Sequence, residues 1–173
     1  MVLILLALAC LKPTPPVEAG GGRPLLVVNV LDAASDAPAV DAPERFDGAV
    51  LDAVSRRKLV PVLLQSEGEL AGVQGSRETG PRLLALAPAA AGAPLLLVET
   101  RPVYYSELNG QYRWTVGVVL TLQGAATPAT RSFDVPVFLQ YHHQREADAV
   151  DAAAPVVARK VGEVLDGWLG GGG

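Results

Sequence analysis

Cysteine, histidine and aromatic residues are scarce in this sequence of 173 residues. It has one cysteine, two histidines and 5% aromatic residues. A single cysteine excludes a disulfide within the chain and a zinc site built on several thiolates. Basic residues are also few, since 14 Lys and Arg stand against 18 Asp and Glu and give a net charge of −4. Without a stripe of Lys and Arg to neutralise phosphates, the sequence predicts no nucleic-acid partner.

Motifs that carry catalysis are missing as well. Ser76 follows Gly75 but does not lie in a G-x-S-x-G elbow, and no phosphate-binding G-x-x-x-x-G-K-[ST] loop is present. His142 and His143 are adjacent at the end of a predicted strand, so their side chains should point to opposite faces. The sequence therefore predicts a protein that is not an enzyme and takes no cofactor. The alternative of an enzyme requires one histidine to meet an acid of residues 32–52 in space.

Six acids crowd residues 32–52. An EF-hand calcium loop needs acids at alternate positions and a glycine at the sixth, and this spacing does not provide them. We expect no metal site here, but a solvated loop followed by the first turns of a helix. The six acids are Asp32, Asp36, Asp41, Glu44, Asp47 and Asp52.

The single cysteine, Cys10, directly follows an apolar run at residues 2–9 that ends in Ala9. An apolar segment with a small residue before the cysteine is what a lipoprotein signal peptidase site requires. We therefore interpret residues 1–9 as a signal peptide and Cys10 as the acylated first residue of the mature protein. Residues 10–23, rich in Pro and Gly, would form the tether. A membrane-spanning helix is excluded for this run, because about 20 apolar residues are needed.

Two alternatives to this interpretation of the N-terminus stay open. A secretory signal normally opens with Lys or Arg, whereas here only the amino group of Met1 is positive, so the natural start could lie upstream. The apolar run could also be a buried strand that ends in Cys10. The Pro/Gly-rich residues 12–22 that follow would disrupt a sheet, which favours the lipoprotein signal.

Residues 24–169 predict a single globular domain, with a glycine tail at 170–173. An unbroken apolar run at 24–31 is typical of a central strand covered on both faces. After a loop at 32–42, apolar residues with a 3.6-residue period predict a helix over 46–57. The sequence then predicts an edge strand that contains Pro61, a polar loop and a short helix ended by Gly92, at 59–64, 67–77 and 81–91 respectively.

The second half of the domain is extended until a final helix. Asn109-Gly110 predicts a tight hairpin, because both central positions of a type I′ turn need positive φ. Strands are expected at 94–105, 112–122 and 133–141, and Pro136 either lies on an edge strand or marks a bulge. A helical period from Val150 to Trp168 predicts the last helix, which Pro155 either kinks or begins. The fold class is thus α/β (α+β): a mixed sheet built β-α-β-α, then an antiparallel meander and a C-terminal helix packed on the sheet.

Aromatic residues gather around the predicted hairpin. Tyr104, Tyr105, Tyr112 and Trp114 flank it, and Tyr and Trp are side chains that interfaces favour. Cross-strand packing within the sheet explains at least half of them. Because Tyr104 and Tyr105 have opposite parity, we expect one of the two to face away from the core. These four residues are the candidate contacts for a protein partner.

The order of these elements resembles that of bacterial envelope lipoproteins that share the fold of the TolB N-terminal domain. The features that resemble them are Cys10, the strand at 25–31 with its following helix, the hairpin and the terminal helix to Trp168. That group includes activators of penicillin-binding proteins and ring-forming lipoproteins of curli and polysaccharide export. The chain is also similar to the lipopolysaccharide-assembly lipoprotein LptE, with Tyr112-Arg113-Trp114 leading an extended strand. It departs from LptE in its long tether and in its helix at 81–91.

The resemblance implies a non-enzymatic outer-membrane lipoprotein on the periplasmic face, anchored through acyl chains on Cys10. Such a protein would dock onto an envelope protein as an accessory or form a ring with further copies. The alternative is a lipid- or glycan-handling assembly lipoprotein of the LptE type, for which we expect an apolar groove between the terminal helix and the meander.

Overall fold

The computed structural model describes residues 22–33, 39–73, 76–124 and 128–170. The predicted signal peptide, Cys10 and most of the predicted tether lie outside these residues. The described residues form six strands, four α-helices and one 3-10 turn, in an order that confirms the predicted mixed fold. In chain order they are β1 (Arg23–Leu31), β2 (Val40–Asp41), α1 (Glu44–Ser55), β3 (Leu59–Leu63), α2 (Ser66–Glu69), the 3-10 turn (Ala71–Val73), α3 (Thr79–Ala90), β4 (Leu95–Leu108), β5 (Gln111–Gln123), β6 (Ala129–Leu139) and α4 (Glu146–Gly170).

All six strands belong to one mixed sheet, with β1 in its interior. On one side β1 pairs in parallel with β4, which continues into the antiparallel meander of β5 and β6. On the other side its first residues pair in parallel with β3 and its last two pair antiparallel with the short β2. The central position predicted from the apolar run at 24–31 is confirmed.

Helices cover the two faces of the sheet unequally. The first face carries α1 and α4, and its core includes Val27 of β1 and Val116 of β5. The second face carries α3 over β1 and the beginning of β4, with Val28 and Leu97 in a smaller core. Since successive residues of β1 enter different cores, its sequence is apolar without alternation.

Two of the prolines lie on the outer strands of the sheet, as predicted. Among the described residues Pro61 lies in β3, which pairs only with β1, and Pro136 lies in β6, which pairs only with β5. The register between β5 and β6 runs without a shift across Pro136. The alternative of a bulge at Pro136 is therefore wrong; the one register shift in the meander falls in β4, between Tyr104 and Ser106.

Several predicted boundaries are wrong for physical reasons. The expected loop at 32–42 contains β2, and the polar loop at 67–77 contains the 3-10 turn and most of α2. The carboxylate of Asp41 accepts hydrogen bonds from both the backbone N–H and the hydroxyl of Ser66. It thereby satisfies the first turn of α2 from 25 residues away.

Two further corrections concern the ends of helices and strands. Pro155 lies inside α4, which begins nine residues earlier at Glu146, so it does not begin the helix. β6 ends at Leu139, so Tyr141 lies beyond the strand in which it was predicted. Within the described residues, no helix combines the length and the apolar character needed to cross a bilayer.

Candidate functional site

Among the described residues, no helix covers the second face of the outer half of the meander. α3 runs back over β1 and the start of β4 and leaves the later part of β4, with β5 and β6, open on that side. A groove of about 600 Å³ lies there beside the first turn of α3. Charged, polar and apolar side chains line it together, among them Thr79, Arg101, Val103, Thr115 and Asp134.

The hairpin between β4 and β5 projects past the end of β1. β1 stops pairing with β4 at Thr100, whereas β4 and β5 stay paired to Leu108 and Gln111. Asn109 and Gly110 adopt φ values of 54° and 74°, which supports the predicted turn. The register shift before Ser106 makes Tyr105 the extra residue of a β-bulge and turns its side chain outward.

The structure divides the four predicted aromatic residues between the two faces. Tyr104, Tyr112 and Trp114 lie together on the first face, where Trp114 joins the core and is 9% exposed. The Tyr104 ring meets the indole of Trp114 edge-on, with 5.5 Å between their centroids, and lies 6.5 Å from the Tyr112 ring. Cross-strand packing therefore explains Tyr112 and Trp114, whereas Tyr104 packs against Trp114 but remains 48% exposed.

Tyr105 alone of the four lies on the second face. It is 73% exposed, and the guanidinium of Arg113 lies 5.6 Å from the centre of its ring. The same guanidinium lies 6.0 Å from the ring of Phe138, which is 55% exposed. Val103, 46% exposed, completes a surface that we name the outward patch, defined as Val103, Tyr105, Arg113 and Phe138.

Sequence reasoning missed three members of the outward patch. Phe138 carried a signal, because it falls on the polar parity of β6, opposite to Val137 and Leu139. Arg113 and Val103 could be assigned to the outward patch only from the strand register. That register pairs Arg113 with Phe138 and Val103 with Thr115.

A buried ion cluster lies between the groove and α3. Arg82 of α3 is fully buried and donates through Nη1 to Asp32 at 2.9 Å and to Glu99 at 2.7 Å. The hydroxyl of Thr79 donates to the other oxygen of Glu99 at 2.6 Å. Burial by itself would lower the pKa of Arg82, but the hydrogen bonds that it donates to both carboxylates, together with their negative charges, raise the pKa above its ordinary value.

The ion cluster corrects the interpretation of Asp32. We expected a solvated loop residue, and its carboxylate is instead 7% exposed and paired with Arg82. Asp41 and Asp47 also have specific partners, because Asp41 accepts from Ser66 and Asp47 accepts from the amide of Asn29 at 2.7 Å. The chemistry of the cluster is that of a structural network, since the guanidinium of Arg82 is already paired with two carboxylates.

The histidines lie in the turn after β6, not at the end of the strand, so their predicted placement is wrong. Both are exposed, their rings lie 5.7 Å apart at 88°, and His143 stacks on Tyr141 at 5.4 Å. Within the part of the chain that the structure describes, neither imidazole contacts an acid of residues 32–52. No group of three or more His, Cys, Asp and Glu placed to hold a metal occurs among the described residues.

Comparison with known proteins gives similarity to solved structures alone. No family model matches the chain, and no curated protein matches it. A minor lipoprotein from Acinetobacter baumannii is 12% identical, with a TM-score of 0.42, over 83% of this chain and 92% of that one. A lipoprotein from Neisseria meningitidis is 12% identical, with a TM-score of 0.39, over 82% and 99% of the two chains.

Rare lipoprotein B from Shewanella oneidensis is 8% identical, with a TM-score of 0.30, over 85% of this chain and 92% of that chain. Bacterial lipoproteins are thus among the solved structures to which this chain is similar. These similarities are too low to assign the chain to a family.

Proposed function

We propose that this protein is a non-enzymatic envelope lipoprotein, acylated at Cys10, that docks onto a protein partner in the periplasm. The protein would be located on the periplasmic face of the outer membrane, and the outward patch would contact the protein partner. The observation that carries the proposal is the exposure of Tyr105 and Phe138 on the part of the second face that no described helix covers.

The composition of the outward patch supports a protein contact. Contiguous exposed apolar surface, especially with a polar rim, is a mark of interaction sites. Aromatic residues and arginine are enriched where protein partners meet, and Lys and Glu are depleted. In the outward patch the guanidinium of Arg113 lies between two aromatic rings that rest on paired strands, so these side chains have little conformational entropy left to lose on binding.

The anchor is supported by the sequence before the domain. Cys10 follows an apolar run and a small residue, and β1 begins at Arg23. The dozen residues between Cys10 and the domain span at most about 40 Å when fully extended, which keeps the domain near its membrane.

Intact mass of the protein purified from its native membrane tests the anchor. We expect a mature chain that starts at Cys10 and carries the added mass of acyl chains. Globomycin, which blocks cleavage of lipoprotein signals, should leave an uncleaved precursor. An unmodified chain that still begins at Met1 would refute the anchor.

A photo-crosslinking residue in place of Tyr105 tests the docking in living cells. We expect a discrete crosslinked species that disappears when Phe138→Ala and Arg113→Ala are added. The matched control replaces Leu84, which is 77% exposed on α3 and lies outside the outward patch. Equal crosslinking from both positions would refute specific docking, whereas a crosslink between two copies would identify the partner as a second copy, as in a ring.

The absence of catalysis has its own test. Replacing both His142 and His143 by Ala should leave function in the cell unchanged. Loss of function in this variant, with the fold intact, would restore the enzyme hypothesis.

The LptE-type alternative is less well supported by the packing of α4. We expected an apolar groove between α4 and the meander, but Val150, Val157, Val161 and Leu165 are fully buried there. The open groove lies on the second face and includes charged side chains of β4 and β6 and of two loops. A closed apolar interface offers no room for an acyl chain, so we favour protein docking over lipid handling.

A further inference from the structure

The end of the domain from which the tether leaves holds three chain segments in direct contact. A β carbon built on Gly22 would lie 2.8 Å from the carbonyl oxygen of Lys58. The guanidinium of Arg23 lies over the indole ring of Trp168, 4.8 Å from its centroid. We name this surface the tether end and define it by residues 22–24, 56–58 and 166–170.

The tether end is positively charged in a protein that is negative overall. It holds four bases and one acid: Arg23, Arg56, Arg57 and Lys58 against Asp166. The turn at 91–94, which reaches the same end of the sheet, adds no charge. Because the whole chain has a net charge of −4, the remaining surface is more negative still.

Helix capping explains only one of the bases at the α1 end. Arg57 donates to the carbonyl oxygen of Ala53 at 3.0 Å and pairs with Asp166. Arg56 and Lys58 are exposed, and within the described residues neither side chain makes a hydrogen bond or an ion pair. Their charges therefore remain available to another surface.

The opposite end of the domain carries the opposite charge. The first turn of α1 holds Glu44 and Asp47, and the first turn of α4 holds Glu146 and Asp148. Arg45 and Arg145 lie beside these four acids, so this end has an excess of acid and is not free of bases. Both helices end at the tether end, so the excess of acid and the excess of base lie at opposite ends of the domain. The outward patch also lies far from the tether end, since the ten steps along β4 from Leu95 to Tyr105 span about 33 Å.

We propose that the tether end docks onto anionic phospholipid head groups of the membrane that holds the acyl chains. The proposal rests on the acylation of Cys10 proposed above, because the tether of at most about 40 Å delivers this end to the bilayer surface. Basic side chains near an anionic leaflet are attracted to it, and stable anchoring commonly combines acyl chains with a basic patch. Trp168 and the 44% exposed Leu169 add aromatic and apolar surface of the kind that lies at head-group depth. Docked in this way, the domain points the outward patch into the periplasm.

The two tryptophans allow a direct test, because Trp168 lies at the tether end and Trp114 lies far from it. Trp114 pairs with Tyr104, about 30 Å along β4 from Leu95. The acylated full chain is reconstituted into phosphatidylcholine vesicles, with or without phosphatidylglycerol, that contain a trace of dansyl-labelled lipid. In the Trp114→Phe variant, energy transfer from Trp168 to dansyl should be higher with phosphatidylglycerol and should fall as salt is added. In the Trp168→Phe variant, transfer from Trp114 should stay low in both vesicles.

Charge variants decide whether the tether end itself is responsible. Arg56→Gln and Lys58→Gln should each lower the ratio of docked to free domains by about fivefold, and the variant that carries both should combine the two losses. The control, Arg45→Gln with Arg101→Gln, removes the same charge from exposed sites elsewhere and should leave the transfer from Trp168 unchanged. Equal transfer with and without phosphatidylglycerol, or equal loss in both variant pairs, would overturn the proposal. Vesicle flotation reports the acyl anchor separately, so failure of the anchor and failure of docking give different results.

Discussion

The carboxylate of Asp166, near the end of α4, accepts two hydrogen bonds from the guanidinium of Arg57, just beyond α1. Nε donates to Oδ1 at 2.8 Å and Nη2 donates to Oδ2 at 2.7 Å. This pairing holds the pKa of Asp166 below its ordinary value. Gly162 makes room for it, because a β carbon built there would lie 2.6 Å from Cζ of Arg57. A single arginine thus joins the ends of the two helices that cover the first face.

The space at Gly162 gives the first prediction. Gly162→Ala should add little stability in the natural sequence, since the gain in helix propensity is offset by displacement of the guanidinium. In an Arg57→Ala background the same change should raise the free energy of unfolding by about 1 kcal/mol. Urea unfolding of the four proteins in a double-mutant cycle measures the difference, and purely additive effects would contradict the packing described.

The buried ion cluster gives the second prediction. Arg82→Met should lower the free energy of unfolding by about 3–5 kcal/mol, because Asp32 and Glu99 lose the charge that compensates them. Adding Asp32→Asn and Glu99→Gln should recover much of this loss by removing the orphaned charges. Arg101→Met, an exposed change at the neighbouring groove, serves as the control and should stay within about 0.5 kcal/mol. If the triple variant is no more stable than Arg82→Met, the loss has another origin.

Stability should depend on pH through Asp47. Burial raises the pKa of Asp47 above the value of 3.8, and the charges of Asp41, Asp151 and Glu44 raise it further, against the hydrogen bond from Asn29. A carboxyl whose folded pKa is raised contributes stability below its unfolded pKa, and this contribution is lost as pH rises through the folded value. Asp47→Asn should therefore unfold at higher denaturant than the natural protein at neutral pH.

The difference for Asp47→Asn should vanish under acid conditions near pH 3.8, where the aspartate of the unfolded chain becomes protonated. Asp52→Asn, an exposed change on the same helix, is the control and should show no such pH dependence. Denaturant midpoints across the acid range measure both. A constant difference at all pH values would mean that Asn improves packing and not charge.

Substitutions on the two faces of the hairpin should differ strongly in how far they destabilise the protein. Tyr105→Ser and Phe138→Ser remove exposed rings, so each should change the free energy of unfolding by no more than about 0.5 kcal/mol. Trp114→Ala on the first face should cost about 3–5 kcal/mol, because it leaves a cavity beneath α4. Thermal unfolding of the three variants measures this contrast. Strong destabilisation by Tyr105→Ser would make the outward patch part of the core and remove it as a docking surface.

Elements whose conformation is determined by residues close together in the chain could be predicted from the sequence. The apolar run of β1, the Asn109-Gly110 turn and the edge positions of Pro61 and Pro136 each follow from the geometry of a few neighbouring residues. The same reasoning separated Tyr104 from Tyr105 by parity. Parity alone could not decide whether Tyr104 or Tyr105 points outward, because the bulge at Tyr105 becomes visible only in the pairing of β4 with β5.

Features that depend on partners far apart in the chain could not be predicted. Three hydrogen bonds join the buried Arg82 to Asp32 and Glu99, which are 50 and 17 residues away in the chain. No local sequence pattern marks such a set. Asp41 caps α2 through Ser66, so the segment looked like a polar loop. The histidines were misplaced because β6 ends two residues earlier than its alternating pattern continues.

The prolines on the outer strands affect how copies of the protein interact when they are crowded on a membrane surface. Lipid-anchored proteins are confined to two dimensions, where neighbours collide often and an open sheet edge is a template for pairing with another copy. A proline offers no backbone N–H to an incoming strand. Pro61 and Pro136 therefore remove one donor each from β3 and β6. Pro102 removes a donor from β4, in the part of that strand that extends past β1. Backbone-mediated stacking of one copy on the next is thereby discouraged. Side-chain contacts would then determine which proteins bind this one on the membrane. The protein could be abundant there without polymerising through its sheet edges.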